Sequence, residues 1–396
     1  MSLALGRRRF ALVGLVVVST VLMTSPGGAT TVEHARAPRT PTALSVPLAT
    51  SVQSTSGSWV TLPMGHLGDP LNTFWQLFFR PSSGNRWSNV VEGTGVATNG
   101  GLVLAPEGGS LLLGVLPSNR LHFSPVLSTA NGGRTYSPGP VLMSGLARRP
   151  EALSASTGGR ALAVVSGSGG TEVLQTSPGQ TGWQALESAT HLEATAVGRS
   201  CGVTAITSVA QVAGRAVLGA ACENRGTVGV FVASNTGWEL LHPTLPRQLG
   251  TGRVEVIGVR QVASGLSVLL AVSQPIGTSI VTASTTTGGS RWTISPALRI
   301  DSGVDIASVG PSTGPGWFVL MERSSGSKVI EATGSAAVWS ELPTPPAYTS
   351  TVAFGPGANV DAMAADGSVL TVWKLTSSQW AKAQVVHVAI EYGSSS

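Results

Sequence analysis

Few side chains in this sequence are of a type and spacing that could do chemistry. Aspartate occurs only at 69, 301, 305, 361 and 366. Asp301/Asp305 and Asp361/Asp366 are therefore the only aspartate pairs available to a two-carboxylate hydrolase, which holds its acid and base about 5–10 Å apart. Both pairs flank strand-like runs, where solvated loop carboxylates are the commoner arrangement. The histidines, at 34, 66, 122, 191, 242 and 387, never recur four apart, and no acidic run has calcium-loop spacing, so no metal is expected. No phosphate loop ends in Gly-Lys, and no cofactor is expected. One segment gathers polar and aromatic groups: Gly65-His66-Leu67-Gly68-Asp69-Pro70-Leu71-Asn72-Thr73-Phe74-Trp75. Its His66, Asp69, Asn72 and Trp75 are the candidate ligand-binding residues. The plainer alternative makes Asp69-Pro70 a turn and Trp75 core. Cys201 and Cys222 lie in strand-like runs, 201–209 and 216–222, separated by Ala213-Gly214-Arg215. A hairpin there would set them nearly opposite and permit a disulfide, the alternative being two buried thiols.

The elements that must carry these residues are short strands. Only 11% of the chain is charged while glycine numbers 50 and proline 24, a composition suited to strands and tight turns rather than long soluble helices. Seven times a β-rich run enters a Ser/Thr/Gly/Asn turn and leaves through an aromatic. The aromatics are Trp87, Tyr136, Trp183, Trp238, Trp292, Trp339 and Trp380, spaced 49, 47, 55, 54, 47 and 41 residues apart. A period near 50 suits the four-stranded blades of a propeller. Glycine in the turn supplies positive φ, a short polar side chain can bond the turn backbone, and the aromatic is expected to pack between neighbouring blades.

Thr129-Ala130-Asn131-Gly132-Gly133-Arg134-Thr135-Tyr136 resembles an Asp-box, the hairpin motif of sialidase-type propellers. Asn131 stands at the Asp position, Gly133 at the Gly and Tyr136 at the Trp. Thr285-Thr286-Thr287-Gly288-Gly289-Ser290-Arg291-Trp292 keeps the Thr, Gly and Trp but carries Thr287 for the Asp. The resemblance implies an all-β, seven-bladed β-propeller of four-stranded antiparallel blades. It does not extend to sialidase catalysis. Those enzymes use three arginines, a Tyr–Glu pair and an Asp acid/base, whereas this chain has three tyrosines, one of them in a repeat, and Phe79-Arg80-Pro81 lacks the signature isoleucine. The first hairpin lacks two upstream runs, so residues 58–62 and the C-terminal run 385–392 are expected to complete one blade together and close the ring.

Arg7-Arg8-Arg9 before an uncharged stretch, 10–23, and the small residues Gly27-Gly28-Ala29 point to a signal peptide over 1–29 of an exported bacterial protein. An uncleaved anchor is the alternative. Residues 30–57, rich in Thr, Ser, Ala and Pro, are expected to form a linker, with the propeller over 58–392 and a tail at 393–396. The net charge of +5 owes much to the leader, and the remaining basic residues are spread along the sequence, which disfavours a nucleic-acid groove. The expected function is non-catalytic binding of a protein or cell-envelope ligand in a secreted or cell-surface setting. A glycan-acting hydrolase or an envelope assembly factor is the alternative.

Overall fold

A computed structural model of the chain describes residues 51–390, apart from 70, 117–122, 139–145, 147–149, 157–158, 178–181, 264, 334–337 and 356–358. The expected signal peptide, the linker up to residue 50 and the tail lie outside these. The described residues form six antiparallel sheets, five of four strands and one of nine; in chain order the strands run as consecutive up-and-down meanders of four, by which the sheets are numbered, the fifth carrying an additional strand, Leu298–Ile300, on Gly277–Thr285. The first is Ser51–Ser54, Gly57–Gly65, Thr73–Pro81 and Ser88–Asn89; the last is Thr351–Phe354, Val360–Asp366, Val369–Thr376 and Gln379–His387. The fourth and fifth meanders share a two-pair ladder, Ala221–Glu255 and Cys222–Val254, so their strands count as one sheet.

Burial explains the sequence texture. Second strands such as Ala161–Gly167 and Trp317–Arg323 read as unbroken apolar runs because each sheet is covered on both faces by its neighbours. The fourth strand of the seventh meander, Gln379–His387, is largely exposed. Among the described residues, seven apolar clusters lie between the sheets. Leu162 and Val164 of the third meander meet Ile206 and Leu218 of the fourth, for example, and Leu269 and Ile280 of the fifth meet Trp317 and Val319 of the sixth. The first meander also packs on the last, through Val60, Leu62 and Phe78 against Met363, Leu370 and Val372.

Each repeat aromatic sits in the cluster between its own sheet and the one before. Tyr136 and Trp238 show the pattern, and Trp87 lies between the first sheet and the seventh. The two motif turns are built alike. Gly133 N–H donates to Thr129 Oγ1 and Thr135 N–H to Asn131 Oδ1; in the other copy Gly289 N–H donates to Thr285 Oγ1 and Arg291 N–H to Thr287 Oγ1. Gly133 and Gly289 have φ of 81° and 98°, a region that strains any side chain.

Three sequence expectations need correction. The first strand, Ser51–Ser54, begins inside the expected linker, and its Ser51 is fully buried. Among the described residues no strand is exchanged at the seam: Gln379–His387 pairs along Val369–Thr376 of its own meander, and the first meander is complete from its own residues, while 391 and 392 of the expected closing run lie outside the described residues. Two short helices, α1 (Ala189–Ala194) and α2 (Ala196–Cys201), separate the third and fourth meanders, so Cys201 ends a helix rather than opening a strand. Ser188 caps α1 by accepting from His191 N–H, Thr195 caps α2 by accepting from Gly198 N–H, and Gly202 ends it with φ 64°.

Candidate functional site

The loop joining Gly65 to Thr73 brings His66, Asp69 and Asn72 into one turn. His66 N–H donates to Asn72 O, Asp69 N–H to His66 O, and Asn72 N–H to Asp69 O. The Asp69 carboxylate accepts from Asn72 Nδ2 at 2.7 Å and Leu71 N–H at 3.0 Å. Those bonds, the Asn72 side chain first, hold its pKa below the usual aspartate value. A depressed carboxyl already engaged by the turn is poorly suited to act as a general acid at neutral pH. Trp75 stands apart from the three. It lies half-buried on Thr73–Pro81, against the cluster between the first and second sheets, and its N–H donates to Thr98 O.

The paired aspartates also part company. Asp361 and Asp366 occupy the two ends of Val360–Asp366. Five residues of strand separate them by about 17 Å, beyond the reach of an acid/base pair. Asp301 forms an exposed ion pair with Arg323 at 2.8 Å. Asp361 is 3% exposed and takes part in a buried network at the seam. Arg80 of the first sheet pairs with it, and Trp87 Nε1 donates to it at 2.7 Å. The Arg80 guanidinium lies 4.9 Å from the Trp87 ring centroid. Gln384 clasps the Trp87 backbone, accepting from its N–H at 2.8 Å and donating to its O at 2.7 Å. Burial pushes the Asp361 carboxyl above its ordinary value, while the Arg80 charge and the Trp87 N–H pull it down.

Gly310-Pro311-Ser312-Thr313-Gly314 has the Gly-x-Ser-x-Gly spacing of a nucleophile elbow. The structure gives it a different setting. The elbow needs a strand, a sharp turn and a helix; here strand Asp305–Pro311 turns into strand Trp317–Arg323. Ser312 is 1% exposed and its N–H donates to Gly316 O, so it closes a turn rather than presenting a nucleophile.

A concavity lies where the third and fourth sheets meet. An open groove of about 620 Å³ is floored by Leu162, Leu186, Ala216 and Ala233, with Arg160, Arg215, Gln175, Asn235, Thr236 and Glu239 among its polar lining. Its size falls in the range of ligand-binding clefts, about 300–1,000 Å³. Equivalent turns supply its two arginines: Gly159-Arg160-Ala161 and Gly214-Arg215-Ala216 each lead into the second strand of a sheet. Gln211 Nε2 donates to Arg160 O at 2.9 Å, tying one turn to the next. Among the described residues the Arg215 guanidinium has no hydrogen-bond partner, and both arginines are exposed. Sequence reasoning missed this groove because its residues come from several separate stretches; the repeated Gly-Arg-Ala was the one local signal.

The disulfide joins Cys201 to Cys222 with Cα atoms 5.1 Å apart, anchoring α2 to the second strand of the fourth sheet. Nearby, Asn224 Nδ2 donates to Arg199 O and Ser200 O, satisfying carbonyls at the end of α2.

By sequence, no family model matches this chain and no curated protein does. Solved structures do resemble it. A protein from Lactobacillus plantarum superposes with a TM-score of 0.50 at 12% identity, covering 85% of this chain and 98% of the other. A 6-phosphogluconolactonase-like protein from Bacteroides uniformis gives 0.50 at 11% identity over the same shares. The β-propeller domain of the Trilobed protease from Pyrococcus furiosus, described as having an open velcro topology, gives 0.50 at 7% identity, again covering 85% and 98%. At such identities the likeness speaks for the fold alone. The chain has an all-β fold of the β-propeller type.

Proposed function

We propose that this chain is an exported, non-catalytic β-propeller of seven blades that binds a protein or cell-envelope ligand. The observation that carries the reading is the open groove between the third and fourth sheets, which offers an apolar floor, amides, hydroxyls and two exposed arginines. Such a lining suits recognition, whereas Asp69, Asp361 and Asp301 are committed to a turn, a seam and a surface ion pair. The ring closure in this proposal draws on the first sheet packing against the last and on the clasp of Gln384 upon Trp87. Export draws on the leader-like N-terminus together with a disulfide, which persists in oxidising compartments.

Binding of the purified chain to isolated cell envelopes tests the reading; it should be saturable and reversible. A panel of chromogenic glycosides tests the competing one. Turnover that is lost in Asp69→Asn would replace the binding function with glycan hydrolysis.

A further inference from the structure

Several arginines, spread out along the sequence, are brought to one end of the sheets by the fold. In a four-stranded meander the turn after the first strand and the turn after the third lie at the same end. Contacts between sheets show that these ends are level with one another. Thr55 N–H donates to Gly108 O, Gly159 N–H to Glu107 Oε1, and Arg160 Nη1 to Gly214 O, each joining one such turn to that of the next sheet. Arg260 Nη2 reaches Gly314 O in the same manner, and Gln53 Nε2 reaches Phe354 O across the seam.

Five exposed arginines occupy this end: Arg86, Arg134, Arg160, Arg215 and Arg291. Against them stand Glu107 and Glu331, whose carboxyls are raised by burial, and Glu239 in the groove. Many carboxylates lie at the opposite end, among them Asp69, Glu223, Asp301, Asp305, Glu322 and Asp366, at turns after second strands or at the starts and ends of connections between sheets; the cations there, Arg199, Arg225, Arg247, Arg253, Arg299, Arg323 and Lys328, include the partners of the Arg253–Glu223, Arg323–Asp301 and Lys328–Glu341 ion pairs. The two ends of the molecule therefore differ in charge, and the groove opens at the basic one.

We infer that this basic end docks an acidic peptide segment of a partner protein, seated in the groove between the third and fourth sheets with Arg160 and Arg215 on its carboxylates. The inference rests on the binding reading above and names the ligand class. Guanidinium groups hold carboxylates with paired, charge-assisted hydrogen bonds. The floor of Leu162, Leu186, Ala216 and Ala233 gives apolar side chains a place beside those charges, and Gln175 and Asn235 offer amides to an extended backbone. A phosphate polymer has no use for such a floor. None of the lining residues is aromatic, so a sugar ring would find no flat apolar face on which to stack. The remaining arginines supply a longer-range field that speeds the approach of an acidic partner.

The probe is a fluorescein-labelled decapeptide alternating glutamate with leucine, titrated by anisotropy against the full chain. Its glutamine-for-glutamate counterpart serves as control. Saturable binding is expected, weakened about tenfold by Arg160→Ala or Arg215→Ala, a loss of roughly 1.4 kcal/mol each. It should weaken further as salt is raised and strengthen in Glu239→Gln, which removes the one carboxylate lining the groove. Arg247→Ala, in the connection between the fourth and fifth sheets, should leave it unchanged. Equal binding of the glutamine peptide, or unaltered binding by the Arg160→Ala/Arg215→Ala double variant with an unchanged melting temperature, overturns the inference. So does stronger competition by polyphosphate or by anionic vesicles, or occupation of the groove by a second copy, seen as self-association lost in the double variant. Saturable envelope binding that the double variant retains leaves the binding function standing and removes only the acidic-peptide assignment.

Discussion

Asp361 shows how one residue can join distant parts of a chain. It is 281 residues from Arg80 and 274 from Trp87, yet the three meet in the buried layer between the last sheet and the first. Removing the carboxylate alone leaves the Arg80 guanidinium buried without a counter-charge, so Asp361→Ala should destabilise the fold by about 3–5 kcal/mol. Replacing both partners by apolar residues of similar size, Arg80→Met with Asp361→Leu, should recover most of that loss, because no charge is then stranded. Urea unfolding of the three variants checks this; a double variant as unstable as Asp361→Ala would show that the pair is held by something other than mutual compensation. The motif turns rest on smaller terms. Thr129→Ala and Thr285→Ala each remove the acceptor of a glycine N–H, and each should cost about 1 kcal/mol in the same measurement.

Among the elements, α2 depends most on a covalent tie. It is six residues long, too short to be stable alone, and is held by its Thr195 cap, the Asn224 bonds and the Cys201–Cys222 bridge. With the cysteines 21 positions apart in sequence, opening the bridge through Cys201→Ser should lower stability by about 3 kcal/mol. Thermal melts with and without reductant should show the same drop for the parent chain and none for the variant. The elements differed in how far they could be read beforehand. The hairpins between third and fourth strands were legible because glycine, the short polar residues and the aromatic all act within a few positions of one another. Strand Ser51–Ser54 was not. Its serines and glutamine carry little β signal, and its burial comes from sheets far along the chain, as when Gln53 bonds Phe354 O. Short helices escaped for a similar reason, since six residues are fewer than two turns and cannot display a 3.6-residue period. The seam was misread because two partial end runs suggested one shared blade, whereas the unread first strand already completes it. Of the candidate site, the grouping of His66, Asp69 and Asn72 followed from their nearness in sequence; the groove and its charged end required the register of whole sheets.

At the scale of the whole molecule, closing sheets against one another on both faces buries carboxylates that have no ion-pair partner strong enough to offset their loss of water. Glu255, on the first strand of the fifth sheet, and Glu331, on the third strand of the sixth, both have pKa values raised above 4.5, desolvation being the largest cause in each. A carboxyl whose pKa is higher in the folded chain than in the unfolded one binds its proton more readily when folded. Stability therefore falls as pH rises through the window between 4.5 and the folded value, and it is regained as pH is lowered through that window. Asp69 works in the opposite sense but at lower pH: its depressed carboxyl contributes stability above 3.8 that is lost as pH falls through its folded value. The melting temperature should accordingly rise on going from pH 7.5 to about pH 5 and decline again in stronger acid. Glu331→Gln and Glu255→Gln should each raise the melting temperature at pH 7.5 and flatten the rise, since an amide carries no charge to desolvate. A melting temperature that falls steadily from pH 7.5 to pH 5, or that keeps its full pH dependence in the Glu255→Gln/Glu331→Gln double variant, would place the controlling carboxylates elsewhere. The double variant therefore isolates what packing between sheets does to charge, because neither residue lines the arginine groove or the Arg80–Asp361 seam.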